Sequence, residues 1–124
     1  MATQTLKRKV AMCLMAHPDD CEILAAGTLA QLVAKGWELH VVTMTPGDCG
    51  SAEQGPEQIA AIRRSEGAAG AKALGGTYHC LEERDLYVTF NENTIRRAVS
   101  LTRRIAPTLV ITHSLVDYMM DHEE

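Results

Sequence analysis

The sequence has few aromatic residues, no excess of positive charge and no long apolar run. Aromatic residues make up 4% of the 124 residues, so the core must be built from Ala, Val, Leu, Ile and Met. The formal net charge of −4 offers no basic field to a nucleic-acid backbone, so we expect no nucleic-acid partner. No apolar run is long enough for a membrane segment, and the stretch after Lys9 is too short for a signal sequence.

The four cysteines lack the spacing that a zinc ribbon or a thioredoxin-type motif requires. Cys13, Cys21, Cys49 and Cys80 include no Cys-x-x-Cys pair. We therefore expect a reduced, cytoplasmic protein in which Cys13 is a small buried hydrophobe. A hydrophobic fraction of 46% and a charged fraction of 23% are typical of a soluble globular protein, here predicted as one domain over residues 1–124.

Apolar segments of two kinds alternate along the chain and predict an α/β fold. Short continuous runs are typical of buried strands, whereas apolar residues three and four positions apart predict helices. The predicted strands are 10–15, 38–44, 77–81 and 108–112, and the predicted helices are 24–35, 59–74 and 94–105. This alternation indicates a Rossmann-like, mainly parallel sheet with helices on both faces.

The last residues of the sequence, Asp121 to Glu124, are typical of a helix start. A fourth parallel strand with no covering element leaves apolar surface exposed. We therefore expect a truncated domain from a longer protein, or a partner such as a second copy of the chain that covers the sheet.

One segment concentrates side chains that can do chemistry. His17-Pro18-Asp19-Asp20 follows directly on the first predicted strand, and open α/β sheets build their sites at the carboxyl ends of strands. A polar turn in which an Asp caps the next helix is one explanation. A bound cation that relieves the repulsion between two adjacent carboxylates is the other. In that case His17 and Asp20 can share one metal ion while Asp19 handles protons.

A second group of histidines follows the fourth predicted strand. If the first and fourth strands are neighbours, their end loops face one another, and His122 or His113 completes a site with His17 and Asp20. Two His, one carboxylate and an open water position form a common catalytic zinc set. A nearby carboxylate can then take a proton from the water.

Other polar residues have plainer interpretations. His40 and His79 lie within strand patterns and are interpreted as structural. The run 82–85 is interpreted as a solvated charge run, and 45–48 as a loop with substrate contact as the alternative. Arg103 and Arg104 complement the dipole of a helix end, with phosphate binding as the alternative.

The segment 16–22, Ala-His-Pro-Asp-Asp-Cys-Glu, resembles the AHPDDxE hallmark of the LmbE/PIG-L family of zinc-dependent N-deacetylases. The resemblance continues in the family's order through Thr45-Pro46-Gly47, through 62–66, and through Thr112-His113-Ser114 to Asp121-His122. It implies a Rossmann-like fold and removal of an acetyl group from an N-acetylated amino sugar or its conjugate. The implied cofactor is Zn²⁺ or another divalent metal.

The resemblance also implies roles for single residues. The general base falls on Asp19, the substrate-binding arginine falls on Arg63, and the metal ligands fall on His17, Asp20 and His122. Glu66 is expected to anchor its helix or to pair with Arg63.

The sequence departs from the family's pattern in two places. Many members read His-Pro-Asp-His at the last ligand and use the first His to protonate or polarise the substrate, whereas this chain has Met119 there. His113 is the candidate substitute in substrate binding, with a strand-end His bonded to backbone as the alternative. Members also continue further, so His122 is expected on a frayed end.

Two other classes of protein fit part of the pattern. A signalling receiver domain has this length and places an acidic pair after its first strand to bind magnesium. However, no Asp ends the third strand here, and no Lys follows the last. A metal- or sugar-binding module without turnover is the other alternative, and Met119 and the short C-terminus motivate it.

Overall fold

The alternating apolar segments form a parallel four-stranded sheet. The computed structural model describes residues 8–124. Its elements are β1 (Val10–Met15), α1 (Asp20–Ala34), β2 (Glu38–Thr43), α2 (Pro56–Ala73), β3 (Thr77–Cys80), α3 (Glu92–Ile105), β4 (Leu109–Ile111) and α4 (Met120–Glu123). The sheet order is β3-β2-β1-β4 with all pairs parallel. The predicted fold class is confirmed, and no helix within residues 8–124 could cross a membrane.

The central strand β1 is apolar at every position because both of its faces are covered. Successive side chains of a strand point to opposite faces. Cys13 and its neighbours on one face pack against α1 and α2 residues such as Leu29. Met12 and its neighbours on the other face pack against Leu101 and Ile105 of α3. Cys13 is fully buried, as predicted.

The helices begin earlier than their apolar spacing predicts, at residues 20, 56 and 92 rather than at 24, 59 and 94. Their first turns are polar or capped and so carry no apolar pattern. Pro56 occupies the first turn of α2, where proline is well tolerated. The Asn91 side chain accepts hydrogen bonds from two backbone N–H groups of α3.

The strand order creates a switch point at the carboxyl ends of β1 and β4. β1 pairs with β2 on one side and with β4 on the other, in the register Cys13 to Ile111. The loops that follow β1 and β4 therefore diverge around a crevice, which is where open α/β sheets bind ligands. The expected exposure of apolar surface near β4 is also found, since Val110 is 48% exposed.

Candidate metal centre

Three of the predicted site residues meet at this switch point. The Nδ1 atom of His17 lies 3.3 Å from Oδ2 of Asp20, and Nε2 of His122 lies 3.6 Å from the same oxygen. One donor atom from each of the three residues lies within 4.8 Å of the other two. Zinc–ligand bonds of about 2.0–2.1 Å in a tetrahedral site put ligand atoms about 3.3 Å apart. The spacing therefore suits a small divalent cation.

The environment of His122 provides an independent test of that fit. Both ring nitrogens of His122 are buried and have no hydrogen-bond partner within residues 8–124. Nδ1 does lie 3.1 Å from a carboxylate oxygen of Asp117, but without the alignment of a hydrogen bond. A buried polar atom left unpaired costs about 1–3 kcal/mol. A cation bound at His122 Nε2, the nitrogen that faces Asp20, would give that atom a partner and remove its share of the cost.

His17 is surrounded by carboxylates. Its backbone N–H donates to Asp20 Oδ2 at 2.8 Å, and its Nε2 lies 3.0 Å from Asp85 Oδ1 and 3.1 Å from Asp121 Oδ2. Burial alone would lower the pKa of His17, but hydrogen bonds to Asp20 and Asp121 and the charge of Asp85 raise it to about 9. Burial would likewise raise the pKa of Asp20, yet His17 holds it below its usual range. The cluster therefore favours a positive charge at its centre.

Asp19 lies beside this cluster in a strained backbone conformation. Its φ of 128° is rare for a residue with a side chain. Its side chain makes no capping hydrogen bond to α1, and that of Asp20 accepts from His17, so the capping interpretation is wrong. The Arg63 guanidinium instead donates to Asp19 Oδ2 at 2.8 Å and to the carbonyl of Pro18. Strained residues of this kind cluster at functional sites.

Arg63 contacts the loop that carries Asp19. Its other terminal nitrogen donates to Glu66 Oε2 at 3.0 Å, which is the predicted pairing. Its stem lies across Gly47, where a Cβ atom would meet Arg63 at 3.5 Å and where φ is +71°. Thr45 is fully buried and donates to the carbonyl of Ala16. The 45–47 segment therefore shapes the loop and seats Arg63.

His113 is held by the backbone and by a neighbouring ring. Its Nε2 accepts a hydrogen bond from the N–H of Ala16 at 3.1 Å, and its ring stacks on His122 with centroids 3.9 Å apart. His113, Asp117 and His122 form a second possible donor set. The engaged Nε2 of His113 favours the first set, and this bond to the backbone is the alternative expected for a strand-end histidine.

Two residues of the site were missed from the sequence. Asp85, interpreted as part of a solvated charge run, is only 6% exposed and contacts His17, so that interpretation is wrong for Asp85. Asp121 is 5% exposed and accepts hydrogen bonds from the N–H groups of Leu86 and Val88. The usable signal was the place of Asp85 shortly after a parallel strand, at the same edge of the sheet as His17.

The structure also corrects the expected frayed end. The side chain of His122 is 4% exposed, because α4 turns its buried face toward the loops after β1 and β4. The remaining histidines, His40 and His79, bond to each other at 2.9 Å on β2 and β3, away from this centre.

The fold and the donor atoms define a class of protein, a Rossmann-like domain with a candidate His–Asp–His metal centre at its switch point. The chain belongs to the PIG-L family, described as GlcNAc-PI de-N-acetylase, which matches residues 12–124. The resemblance noted in the sequence is thereby confirmed, and the match gives no support to a receiver domain.

Individual relatives include both deacetylases and a hydratase. The chain is 29% identical over 123 residues to 4-oxalmesaconate hydratase of Pseudomonas putida, covering 93% of the chain and 48% of the relative. It is 27% identical to diacetylchitobiose deacetylase of Thermococcus kodakarensis, covering 83% and 40%. The N,N'-diacetylchitobiose deacetylase structure from Pyrococcus horikoshii aligns with a TM-score of 0.87 at 28% identity, covering 94% and 46%. The chain thus spans about half the length of these relatives.

Proposed function

We propose that this chain carries the metal centre and the general base of a zinc-dependent N-deacetylase. The observation that supports this most directly is the convergence of His17 Nδ1, Asp20 Oδ2 and His122 Nε2 beside a strained Asp19. The family includes deacetylases of acetylated amino sugars. The proposed substrate is a small N-acetylated amino sugar or its conjugate, and the proposed location is the cytoplasm.

His17, Asp20 and His122 would hold the ion, and their chemistry suits it. Imidazole nitrogen and carboxylate oxygen are ordinary zinc ligands, and three of them leave a position open. Zinc bound there supplies Lewis acidity for a water molecule and for the amide carbonyl. The carboxylate of Asp20 is fixed for this purpose by the N–H of His17.

Asp19 is the proposed proton carrier. Its side chain is 46% exposed, so it can reach a bound substrate, whereas Asp20 is largely covered. In the proposed hydrolysis Asp19 accepts a proton from the attacking water as the new C–O bond forms. It then delivers a proton to the amine as the C–N bond breaks. The products are acetate and a free amino group.

Arg63 has a broader role in this proposal than substrate contact alone. The resemblance implies that it binds a hydroxyl, phosphate or carboxylate of the substrate. In the structure its guanidinium already engages Asp19, Pro18 and Glu66. A substrate anion therefore competes with two carboxylates for Arg63, and the arginine orients the base before substrate arrives. His113 is the other proposed substrate contact.

The test is metal analysis followed by an acetate-release assay. The protein should retain zinc through gel filtration. It should also release acetate from N-acetylglucosamine or N,N'-diacetylchitobiose, measured in this chain and in a form extended to the length of its relatives. Stoichiometric zinc without hydrolysis of any N-acyl sugar would contradict the deacetylase proposal and support a binding module.

A hydratase is the second candidate, because the relative at 29% identity acts as one. Met119 stands where the resemblance predicts an imidazole that helps to protonate or polarise the substrate of a deacetylase. Adding water across a conjugated double bond releases no amine. A fall in ultraviolet absorbance of a conjugated unsaturated acid, with no acetate release from amino sugars, would favour this candidate.

A further inference from the structure

Two buried carboxylates flank the far side of His17, and one of them comes from the connection between β3 and α3. We infer that Asp85 is a positioning residue for the ligand His17, which makes this connection part of the metal centre. The inference rests on the proposed metal-binding function. It concerns Asp85 and Asp121, which lie outside the proposed ligand set of His17, Asp20 and His122.

Asp85 is held from two directions. Its Oδ2 accepts a hydrogen bond from the N–H of Cys49 at 3.2 Å, and its own N–H donates to Asp48 Oδ1 at 2.8 Å. These contacts leave Oδ1 facing Nε2 of His17 at 3.0 Å, with the side chain 9% exposed. A carboxylate this buried is costly unless it is paired. The pairing here is with the imidazole, so the loop after β2 fixes Asp85 and Asp85 faces the ligand.

Asp121 shares the same ring nitrogen. Its Oδ2 lies 3.1 Å from Nε2 in a hydrogen bond, and it also accepts from the N–H of Leu86 at 2.6 Å. The two carboxylates can only accept, so with a cation between Nδ1 and Asp20 they would place the proton of a neutral His17 on Nε2 and leave the lone pair of Nδ1 for that cation. Metal-binding histidines commonly use this arrangement, in which the other ring nitrogen donates to a carboxylate.

This arrangement connects two segments of the chain through one ring nitrogen of His17. Asp85 belongs to the β3–α3 connection and Asp121 to α4, and the Leu86 N–H ties these two segments to each other. Both segments meet at one nitrogen of a residue from the β1–α1 loop. A change at Asp85 or at Asp121 should therefore alter the affinity of Nδ1 for metal while the three proposed ligands stay in place.

The experiment is a double-mutant cycle in zinc affinity, measured by calorimetry against a competing chelator. Asp85→Asn keeps the shape of the side chain, but its single acceptor oxygen cannot serve both Cys49 N–H and His17 Nε2. We expect Asp85→Asn and Asp121→Asn each to weaken zinc binding by about tenfold. The double variant should lose more than the product of the two, because in each single variant the other carboxylate still faces Nε2.

Glu82→Gln is the matched control. It removes the same charge from the same connection, but Glu82 pairs with Arg64 and does not contact His17. Its zinc affinity should equal that of the wild type. Asp48→Ala is a second test that leaves Asp85 in place and removes the acceptor of its N–H. We expect a smaller loss of affinity there.

A long-range ¹H–¹⁵N spectrum of the five histidines gives a second readout. In the zinc-bound wild type the His17 proton should be on Nε2, and in the double variant this signal should weaken. Wild-type zinc affinity and an unchanged signal in the folded double variant would overturn the role of Asp85. Failure of the wild type to bind zinc would instead refute the proposed metal centre, so the two failures are distinguishable.

Discussion

The molecule contains two histidine clusters on the same sheet, and they differ in the charges around them. His17, His113 and His122 lie at the carboxyl end of the sheet, where four aspartates approach their ring nitrogens within 3.6 Å. His40 and His79 bond to each other on β2 and β3, and one exposed glutamate contacts His40. The first cluster has a surplus of negative charge that a cation would neutralise, whereas in the second both ring nitrogens of His40 are already paired.

The pKa values of one histidine from each cluster, His17 and His79, shift in opposite directions. The aspartates overcome the effect of burial and raise the pKa of His17 to about 9. The pKa of His79 is lowered by burial and then by the charges of His40 and Arg104. His17 and His79 therefore favour opposite protonation states, while burial and the charge of His122 also lower the pKa of His113 in the first cluster. The difference teaches that the neighbouring carboxylates, rather than the number of imidazoles, identify the candidate metal centre.

The largest expected difference between the two clusters is in turnover. Asp19→Asn should lower deacetylation by about 10²–10⁴-fold, because a positioned general base contributes that much. Glu38→Gln, the matched loss of a carboxylate at the His40–His79 pair, should leave the rate unchanged. Initial rates of acetate release at saturating substrate check both. Equal rates for Asp19→Asn and the wild type would remove Asp19 from the mechanism.

The next test compares metal binding. His122→Ala removes one of three ligands, so zinc affinity should fall by more than the roughly 10–100-fold typical of a change outside the ligand set. His79→Ala removes an imidazole from the other cluster and should bind zinc as the wild type does. Calorimetry with a competing chelator measures both. A larger loss for His79→Ala would reverse the assignment of the metal centre.

The metal-free protein should respond to pH through His17. Its folded pKa of about 9 exceeds the ordinary value of 6.5, so the folded state holds the proton more tightly. This stabilisation, about 3 kcal/mol for a shift of this size, is complete below about pH 6.5 and is lost as the pH rises toward 9. Urea unfolding in a chelator should show that decline in the wild type. The decline should be weaker in His17→Gln.

His79 should contribute with the opposite sign and a smaller effect. Its folded pKa is depressed, so its contribution is present above about pH 6.5 and is lost as the pH falls below that value. His79→Gln should therefore flatten the acid side of the same stability profile and leave the alkaline side unchanged. A flattening on the alkaline side would show that the two clusters are not independent.

Local sequence patterns predict one part of the site, whereas the rest depends on contacts between residues that are distant in the sequence. The apolar run of β1 and the residues that follow it place His17 and Asp20 at a strand end, and the structure agrees. The sequence predicts a solvated Asp85 because this residue belongs to a run of charged residues. Its burial depends on Cys49, 36 positions away, and on His17. Adjacent residues carry no signal of such contacts.

The expected frayed end was wrong for a related reason. A terminal position predicts fraying only when nothing binds the segment. Asp121 accepts two backbone hydrogen bonds from the β3–α3 connection, and the ring of His122 stacks on His113. The starts of α2 and α3 were misplaced because their first turns are polar, and apolar periodicity registers only the residues that face the core.

At Asp19, the stability of the fold and the proposed activity favour different residue types. Glycine adopts positive φ at little cost, so Asp19→Gly should relieve a strain of roughly 1–3 kcal/mol, offset in part by the lost ion pair with Arg63. The same change deletes the proposed base. Selection for thermal resistance alone would therefore favour a glycine at φ 128°, whereas the proposed chemistry requires the aspartate.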